Sequence, residues 1–220
     1  MKKTRQKTTI FLTIILCFIG SFLPSFAGAP PSTKNLSSLN VHKTAEWEGE
    51  WISVSAQMDA IEKRGLFKKA AAISKVYTAN EIREYFSANV HTDIQRVKIE
   101  KGIFTFLSAE GTTVIGKAWY TYEGFLEKML GGREVQWHQF KLAEGYSKYP
   151  ILICSEPYGV FGQWTLLSQF GSFASIKSGN IDAYWQSMMF PADLPAEQIV
   201  DLIDTAEFIE SALSLLPPRK

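Results

Sequence analysis

The chain has 220 residues and a formal net charge of +1 at pH 7, because 23 lysine and arginine residues nearly balance 22 acidic residues. So small a net charge argues against a nucleic-acid-binding protein, and we expect no nucleic-acid partner. The length is sufficient for a single domain with a substantial hydrophobic core.

Residues 1–27 have the three parts of a secretory signal peptide. A basic start precedes an apolar run from Ile10 to Leu23, and Ser25 and Ala27 form a small-x-small cleavage site. The apolar run is shorter than the roughly 18 to 20 residues that a membrane-spanning helix needs. We therefore predict cleavage after Ala27, a periplasmic or secreted location, and a mature protein that is not integral to the membrane.

Residues 28–43 are rich in proline, serine and asparagine, a composition typical of a flexible linker. The folded domain is predicted to span residues 44–216 and to open with Trp47–Val54. Within that segment Gly49 lets the backbone pass close to a neighbouring strand, and Trp51 supplies a large flat side chain. This Gly-x-Trp spacing is typical of the first strand of a small closed β-barrel.

Helices are predicted on both sides of a run of strands. The first helical segment is broken near Gly65, and Thr78 or Asn80 can cap the second. Apolar residues at helical spacing support each of them. The predicted helices are Met58–Lys75, Glu81–Asn89 and about Ala196–Leu215.

Apolar and polar residues alternate through the middle of the chain, a pattern typical of half-buried strands. About seven antiparallel strands in sequence suggest a meander, and closing the meander into a barrel would remove its exposed edges. The predicted fold is therefore mainly β with flanking helices, an antiparallel β-barrel. After Trp47–Val54, the predicted strands are Val97–Glu100, Ile103–Leu107, Thr113–Tyr122, Val135–Leu142, Tyr149–Cys154, Gln163–Phe170 and Ser172–Lys177.

Four short motifs in register point to one family. They are Trp47-Glu48-Gly49-Glu50-Trp51, the helix Glu81–Phe86 followed by Thr92-Asp93-Ile94, Tyr120-Thr121-Tyr122-Glu123-Gly124, and Phe190-Pro191-Ala192-Asp193-Leu194. Together they resemble the ZinT family, also called YodA-like, of bacterial periplasmic zinc-binding proteins, and a matching domain of some zinc-importer proteins. The resemblance implies a calycin-like, lipocalin-related barrel, which agrees with the strand count, and a role in zinc binding and zinc homeostasis.

The resemblance places the family's three histidine ligands, at one barrel mouth, on Phe170, Phe173 and Ser175. The family has a Ser-Asp-His strand end and a His-x-His pair, where this chain has Ser168-Gln169-Phe170 and, allowing a deletion, Phe173-Ala174-Ser175. Zinc requires imidazole, thiolate or carboxylate donors, which these positions do not offer. We therefore expect the direct affinity for zinc to be reduced or absent. Zinc is the one cofactor that the resemblance implies, and the residues themselves indicate no other.

Two further departures from the family concern Cys154 and the stretch before it. The resemblance implies a disulfide between the position of Cys154 and the position of Ala118. Because alanine occupies the second position here, that disulfide is lost. Cys17 would leave with the signal peptide, and a lone cysteine on an apolar strand is typically buried and unreactive. Between Gly124 and Cys154 the chain is longer than the family, around Gly131–Gln139, and the resemblance does not explain the added residues.

A replacement metal site is one interpretation of the remaining histidines. His91 and Asp93 would share one face of an extended segment, and His138 would add a third donor. In the competing interpretation Asp93 ties the end of a helix to the first barrel strand. His138 would then be an exposed or hydrogen-bonded strand residue, and His42 lies in the predicted linker.

Two functions from different classes follow. The first is a ZinT-like monomer of zinc homeostasis that binds metal outside the cytoplasm or partners a component of a zinc importer. The alternative is a metal-free module that holds an apolar small ligand or a protein segment at the barrel mouth, where Phe170 and Phe173 would form an apolar surface. If those rings only fill space, the mouth has no pocket. No catalytic motif is present, and we expect no enzymatic activity.

Overall fold

The computed structural model describes residues 43–108, 112–130, 133–168, 187–214 and 216–218. Short 3-10 helices span Ala45–Trp47 and Val54–Gln57. The strands are β1 (Gly49–Ser53), β2 (Arg96–Glu100), β3 (Ile103–Leu107), β4 (Val114–Leu130), β5 (Arg133–Tyr146), β6 (Ile151–Ser155), β7 (Trp164–Leu167) and β8 (Ser187–Pro191). The α-helices are α1 (Met58–Arg64), α2 (Leu66–Ser74), α3 (Ala79–Val90), α4 (Ala196–Ile203) and α5 (Ala206–Ser214).

These strands form a closed antiparallel barrel. Each strand pairs with the next along the chain, and β8 returns to pair with β1, where Trp51 lies between Val97 of β2 and Pro191 of β8. The predicted fold class is confirmed. Within the described ranges the barrel has eight strands, and β8 was missed because its sequence was assigned to the approach to the last helix. The predicted strand Ser172–Lys177 lies outside the described residues, as does the end of Gln163–Phe170.

Side chains of alternate strand residues fill the barrel interior. Val97 and Ile99 are each 1% exposed, whereas Lys98 between them points outward. Period-two alternation places every second side chain on the inner face, so the sequence pattern alone specifies this core. The largest rings that pack there are Trp47, Trp51, Phe104, Phe106, Tyr120, Phe140 and Trp164.

The first three helices form where the sequence predicts them. Gly65 adopts a left-handed conformation, with φ of +79°, and ends α1 as the prediction of a break requires. The Thr78 side chain accepts from the Glu81 backbone N–H, and the Glu81 carboxylate accepts from the Thr78 N–H, a reciprocal cap for α3. The helices pack on the outer side of β1 and β8, around Ile52 and Phe190, in a second hydrophobic cluster.

The last helix is interrupted, and the predicted continuous helix Ala196–Leu215 is wrong. α4 ends at Ile203, and Asp204 and Thr205 separate it from α5. The Asp204 carboxylate is paired with Arg64 and Lys69 of the first two helices, and its side chain is only 8% exposed. These ion pairs join segments that are far apart in the sequence, and they lie at the break. Apolar spacing within one segment therefore does not predict the break.

The β4–β5 hairpin is longer than predicted, since β4 was expected to end at Tyr122. The two strands pair as far as Leu130 and Arg133, with register shifts after Trp119 and after Tyr122. Gly145 has φ of +97°, and a Cβ there would lie 2.4 Å from the Lys117 carbonyl oxygen. Only glycine fits this close approach of the two strands.

We name the two ends of the barrel after residues that lie there. One end, which we call the tryptophan end, contains Trp47, the β2–β3 turn and the start of β7. At the opposite end, which we call the Asp93 end, lie Asp93 and the β5–β6 connection. In the part of the chain that the structure describes, no helix combines the length and apolar character needed to cross a bilayer.

Candidate functional site

The tryptophan end is sealed by indoles whose N–H groups are used for closure. Trp47 Nε1 donates to the Ser155 carbonyl oxygen at 2.9 Å, and Trp51 Nε1 donates to the Trp47 carbonyl oxygen at 2.7 Å. Trp51 also meets Trp164 edge to face, with ring centroids 5.6 Å apart. Two of the three indole N–H groups are thus paired, whereas the buried Nε1 of Trp164 has no hydrogen-bond partner among the described residues.

His138 lies inside this seal as a hydrogen-bonded strand residue, the second of the two predicted alternatives, and it is not exposed. It is 5% exposed, its ring centroid is 5.0 Å from that of Trp47, and its Nδ1 is 3.3 Å from the Tyr122 hydroxyl oxygen. Burial, together with the nearby ammonium of Lys43, lowers the pKa of His138 to about 4. The imidazole is therefore neutral at neutral pH, and its Nε2 has no hydrogen-bond partner among the described residues.

Cys154 lies opposite His138 in the β5–β6 register and is fully buried in the barrel interior. Burial raises the pKa of its thiol well above the ordinary value. The thiol is therefore protonated and shielded, and it is not a nucleophile. Ala118, the position of the family's second cysteine, is likewise buried, at 2% exposure.

At the Asp93 end, His91 and Asp93 are neighbours on the surface. His91 Nε2 is 3.8 Å from Asp93 Oδ1, and the side chains are 72% and 50% exposed. The hydrogen bond from Lys148 lowers the pKa of Asp93, and Lys148 belongs to the β5–β6 connection. Asp93 therefore has a structural role, as predicted, but it ties the segment after α3 to the β5–β6 connection instead of to the first barrel strand.

The three residues of the replacement metal site do not come together. His138 is inside the tryptophan end, whereas His91 and Asp93 lie at the surface of the other end. Across the described ranges, no group of three histidine, cysteine or carboxylate residues is close enough to hold a metal ion. The donors that the structure describes therefore do not fit a zinc ion.

The positions that resemble the family's ligands follow β7 in the sequence. Leu167 of β7 pairs with Ile153, and Ser168 is the last described residue before the gap. Phe170, Phe173 and Ser175 lie outside the described residues. Their assignment therefore rests on the sequence resemblance alone.

A shallow groove on the outer side of β1 was not predicted from the sequence. It has a volume of about 500 Å³ and carries charges of both signs. Glu48 already accepts from the Lys101 backbone N–H at 2.9 Å, and Glu50 lies 3.6 Å from the Lys98 ammonium. The groove is lined by Glu48, Gly49, Glu50, Trp51, Arg96, Pro191, Ala192 and Asp193, which include neither imidazole nor thiol.

Comparison with known families identifies the barrel. The model of the family described as ZinT (YodA) periplasmic lipocalin-like zinc-recruitment matches residues 34–155, more than half of the chain. The chain belongs to the ZinT family. The match begins inside the predicted linker 28–43 and ends before the ligand positions of this ZinT-family chain.

Relatives and solved structures agree with the ZinT assignment. The probable metal-binding protein YrpE of Bacillus subtilis (strain 168) is 34% identical over 119 residues, which are 53% of this chain and 46% of that protein. The chain thus spans about half the length of this curated relative. Zinc(II)-bound AdcA of Streptococcus pneumoniae superposes with a TM-score of 0.56 at 16% identity, covering 71% of this chain and 34% of AdcA.

The ZinT-like domain of the same AdcA, also solved with zinc(II), gives a TM-score of 0.54 at 16% identity. This superposition covers 72% of our chain and 87% of that domain. At this identity the two AdcA structures show the shared fold and no shared ligand. The ZinT fold of the chain is thus supported independently by sequence and by structure.

Proposed function

We propose that this chain is an extracytoplasmic binding protein of zinc homeostasis, acting as a monomer and without catalysis. The observation that carries the proposal is the ZinT family match over residues 34–155. The closed barrel, with eight strands in the described ranges, agrees with it. The family is described as periplasmic and as recruiting zinc. A ZinT-like domain is also part of the larger AdcA chain, which supports a partnership with a zinc-importer component.

Direct zinc affinity is reduced or absent in this proposal. The sequence has Phe170, Phe173 and Ser175 where the family resemblance places histidines, and an aromatic ring carbon cannot coordinate zinc. The donors that the structure describes offer no replacement, since His138 is enclosed by aromatic rings and His91 has only one neighbouring carboxylate. A contribution to zinc homeostasis would then pass through a partner protein.

A zinc titration by calorimetry on residues 28–220 tests this proposal. We expect no binding tighter than micromolar, and a triple variant with Phe170→His, Phe173→His and Ser175→His should gain at least a hundredfold in affinity. The matched control introduces histidines at Ile73, Val76 and Val114, which are exposed and lie on none of the strands that pair with β7. Tight binding by the unaltered chain contradicts the loss of the ligands, and no gain in the triple variant contradicts the assigned positions.

The alternative function is a metal-free module for an apolar ligand or a protein segment. Inside the described barrel the rings already pack against each other, as Phe104 does with Tyr120 and Phe140 at centroid separations of 5.2 and 5.8 Å. This packing disfavours an apolar ligand within that interior. Exposed apolar side chains outside the barrel, such as Phe125 and Met129, favour binding of a protein segment over binding of a small ligand.

A further inference from the structure

The β4–β5 hairpin extends past the barrel at the tryptophan end. β3 pairs with β4 only as far as Trp119, and β6 pairs with β5 only as far as Trp137, whereas β4 and β5 continue together to Leu130 and Arg133. We call residues 125–130 with 133–138 the ribbon. It lies in the stretch that the resemblance to the family leaves unexplained.

The two faces of the ribbon differ in burial. One face carries Val135 and Trp137, which are 1% and 0% exposed and pack with Ile153 and Leu167. The other face continues the barrel interior beyond His138, because directly opposed residues share a face. This second face, which we call the ribbon face, consists of Phe125, Glu127, Met129, Glu134 and Gln136.

Large apolar side chains are exposed on the ribbon face. Phe125 is 50% exposed and Met129 is 56% exposed, although Val135 and Trp137 on the opposite face of the ribbon are buried. The β6–β7 turn at the same end adds Val160, which is 89% exposed. Apolar groups gathered on one projecting element are typical of a surface that a partner covers.

The charge of the ribbon face restricts the partner. Glu127 and Glu134 are exposed on it, and none of its five residues is basic. Lys43 lies beside Tyr122 and His138 at the base of the face, away from the two carboxylates by at least one residue pair of the hairpin. Gln136 Nε2 donates to Glu127 Oε1 at 3.2 Å, which leaves the carboxylate charge in place. A second copy of the same face would oppose carboxylate to carboxylate, and an anionic lipid surface would also repel it.

The strand edge beside this face suits an extended partner. From Phe125 to Glu127 the outer edge of β4 has no second partner strand within the described residues. An added strand can hydrogen-bond to such an edge and place alternate side chains over one face. We propose that the ribbon face binds an extended basic segment of a partner protein, with its apolar side chains over Phe125 and Met129 and its lysine or arginine side chains at Glu127 and Glu134.

This interaction does not depend on zinc binding by the chain. The probe is a fluorescently labelled decapeptide in which valine and lysine alternate at every second position with serine between them, so that an added strand presents both to the ribbon face. It is titrated against residues 28–220 by anisotropy at low ionic strength. We expect saturable one-to-one binding, weakened at least tenfold in the double variant Glu127→Lys, Glu134→Lys. The double variant Phe125→Ser, Met129→Ser should also weaken binding at least fivefold, and raising the salt concentration should weaken it further.

The matched control reverses two exposed carboxylates on the helices, Glu84→Lys with Glu210→Lys, which changes the net charge equally. This control should change the affinity less than twofold. The same decapeptide with glutamate in place of each lysine should not bind. On addition of the peptide, amide chemical-shift changes in isotopically labelled protein should concentrate in residues 124–129. The amide spectrum of each variant without peptide shows whether that variant remains folded.

Four results would overturn the proposal. They are absence of binding, equal weakening by the helix control, equal binding of the acidic peptide, and shift changes confined to another surface. Flotation of the protein with phosphatidylglycerol vesicles that needs Phe125 and Met129 would assign the face to membranes instead. A dimer in sedimentation that the Phe125→Ser, Met129→Ser variant dissociates would assign it to self-association.

Discussion

The two ends of the barrel hold the same kinds of residues in opposite environments. At the tryptophan end, His138 and Trp47 are 5% and 1% exposed and contact other rings. At the Asp93 end, His91 is 72% exposed, and Tyr146 at the end of β5 is 59% exposed. Histidine and an aromatic residue therefore occur at both ends, and only burial distinguishes them.

This difference determines what each histidine can do. A buried imidazole loses hydration when it is charged, so its pKa falls and it stays neutral. The charged groups at the other end remain hydrated, and the pairing of Asp93 with Lys148 orders two connections without a dry environment. The tryptophan end should therefore dominate stability, and the Asp93 end should contribute little.

The largest expected effect is that of Trp47→Ala. The substitution removes a fully buried ring and leaves the Ser155 carbonyl oxygen without its indole donor. We expect a loss of about 3–5 kcal/mol in the free energy of unfolding, measured by urea denaturation with residues 28–220.

The matched control is Tyr146→Ala at the opposite end, where the ring is largely exposed. Its cost should stay within about 1 kcal/mol. If the two substitutions cost the same, the contrast between the two ends is not one of burial.

The second effect concerns pH. The pKa of His138 is about 4 in the folded protein and near 6.5 for an ordinary histidine, so the unfolded chain takes up its proton first as the pH falls. The stability contributed by neutral His138 is complete above pH 6.5 and is lost as the pH falls toward 4. The change should amount to about 1–3 kcal/mol, read from urea midpoints across this range.

The His138→Phe variant keeps a ring at the site and removes the titration. Its urea midpoints should vary less between pH 6.5 and 4 than those of the unaltered chain. A matched His91→Phe variant makes the same substitution at an exposed site of the opposite end and serves as the control. Identical profiles for all three proteins would show that the pKa of His138 does not differ between the folded and unfolded states.

The smallest expected effect is that of Asp93→Asn. Lys148 lowers the pKa of Asp93, so the stability from the carboxylate is present above pH 3.8 and is lost as the pH falls further. Because both side chains are about half exposed, the substitution should change the urea midpoint at pH 7 far less than Trp47→Ala does. A loss comparable to that of Trp47→Ala would mean that the Asp93 end is as important to stability as the tryptophan end.

Local signals in the sequence predicted much of the fold. Thr78 and Glu81 act within one helical turn, Gly65 needs its left-handed conformation whatever surrounds it, and the alternation at Val97 and Ile99 is a property of one strand. Longer-range features were not predictable in this way. Asp204 interrupts the last helix where it meets Arg64 and Lys69, which are more than a hundred residues away in sequence.

The candidate site shows the same division. The sequence indicated the family, and it identified His91 with Asp93 as neighbours, because two residues apart on an extended chain share a face. It did not reveal that His138 is enclosed, since its neighbours along β5 include Gln136, Gln139 and Lys141. The rings of Trp47 and Tyr122 enclose it, and they come from other parts of the barrel.

By itself the sequence determined seven of the eight described strands, the helix caps and membership of the barrel family, because periodicity, capping and turn chemistry act over a few residues. Only the tertiary structure decided that β8 closes onto β1, that His138 is neutral and enclosed, and that one ribbon face stays exposed. Burial and charge pairing depend on segments that are far apart in the chain. Barrel closure is what brings those segments into contact or leaves them apart.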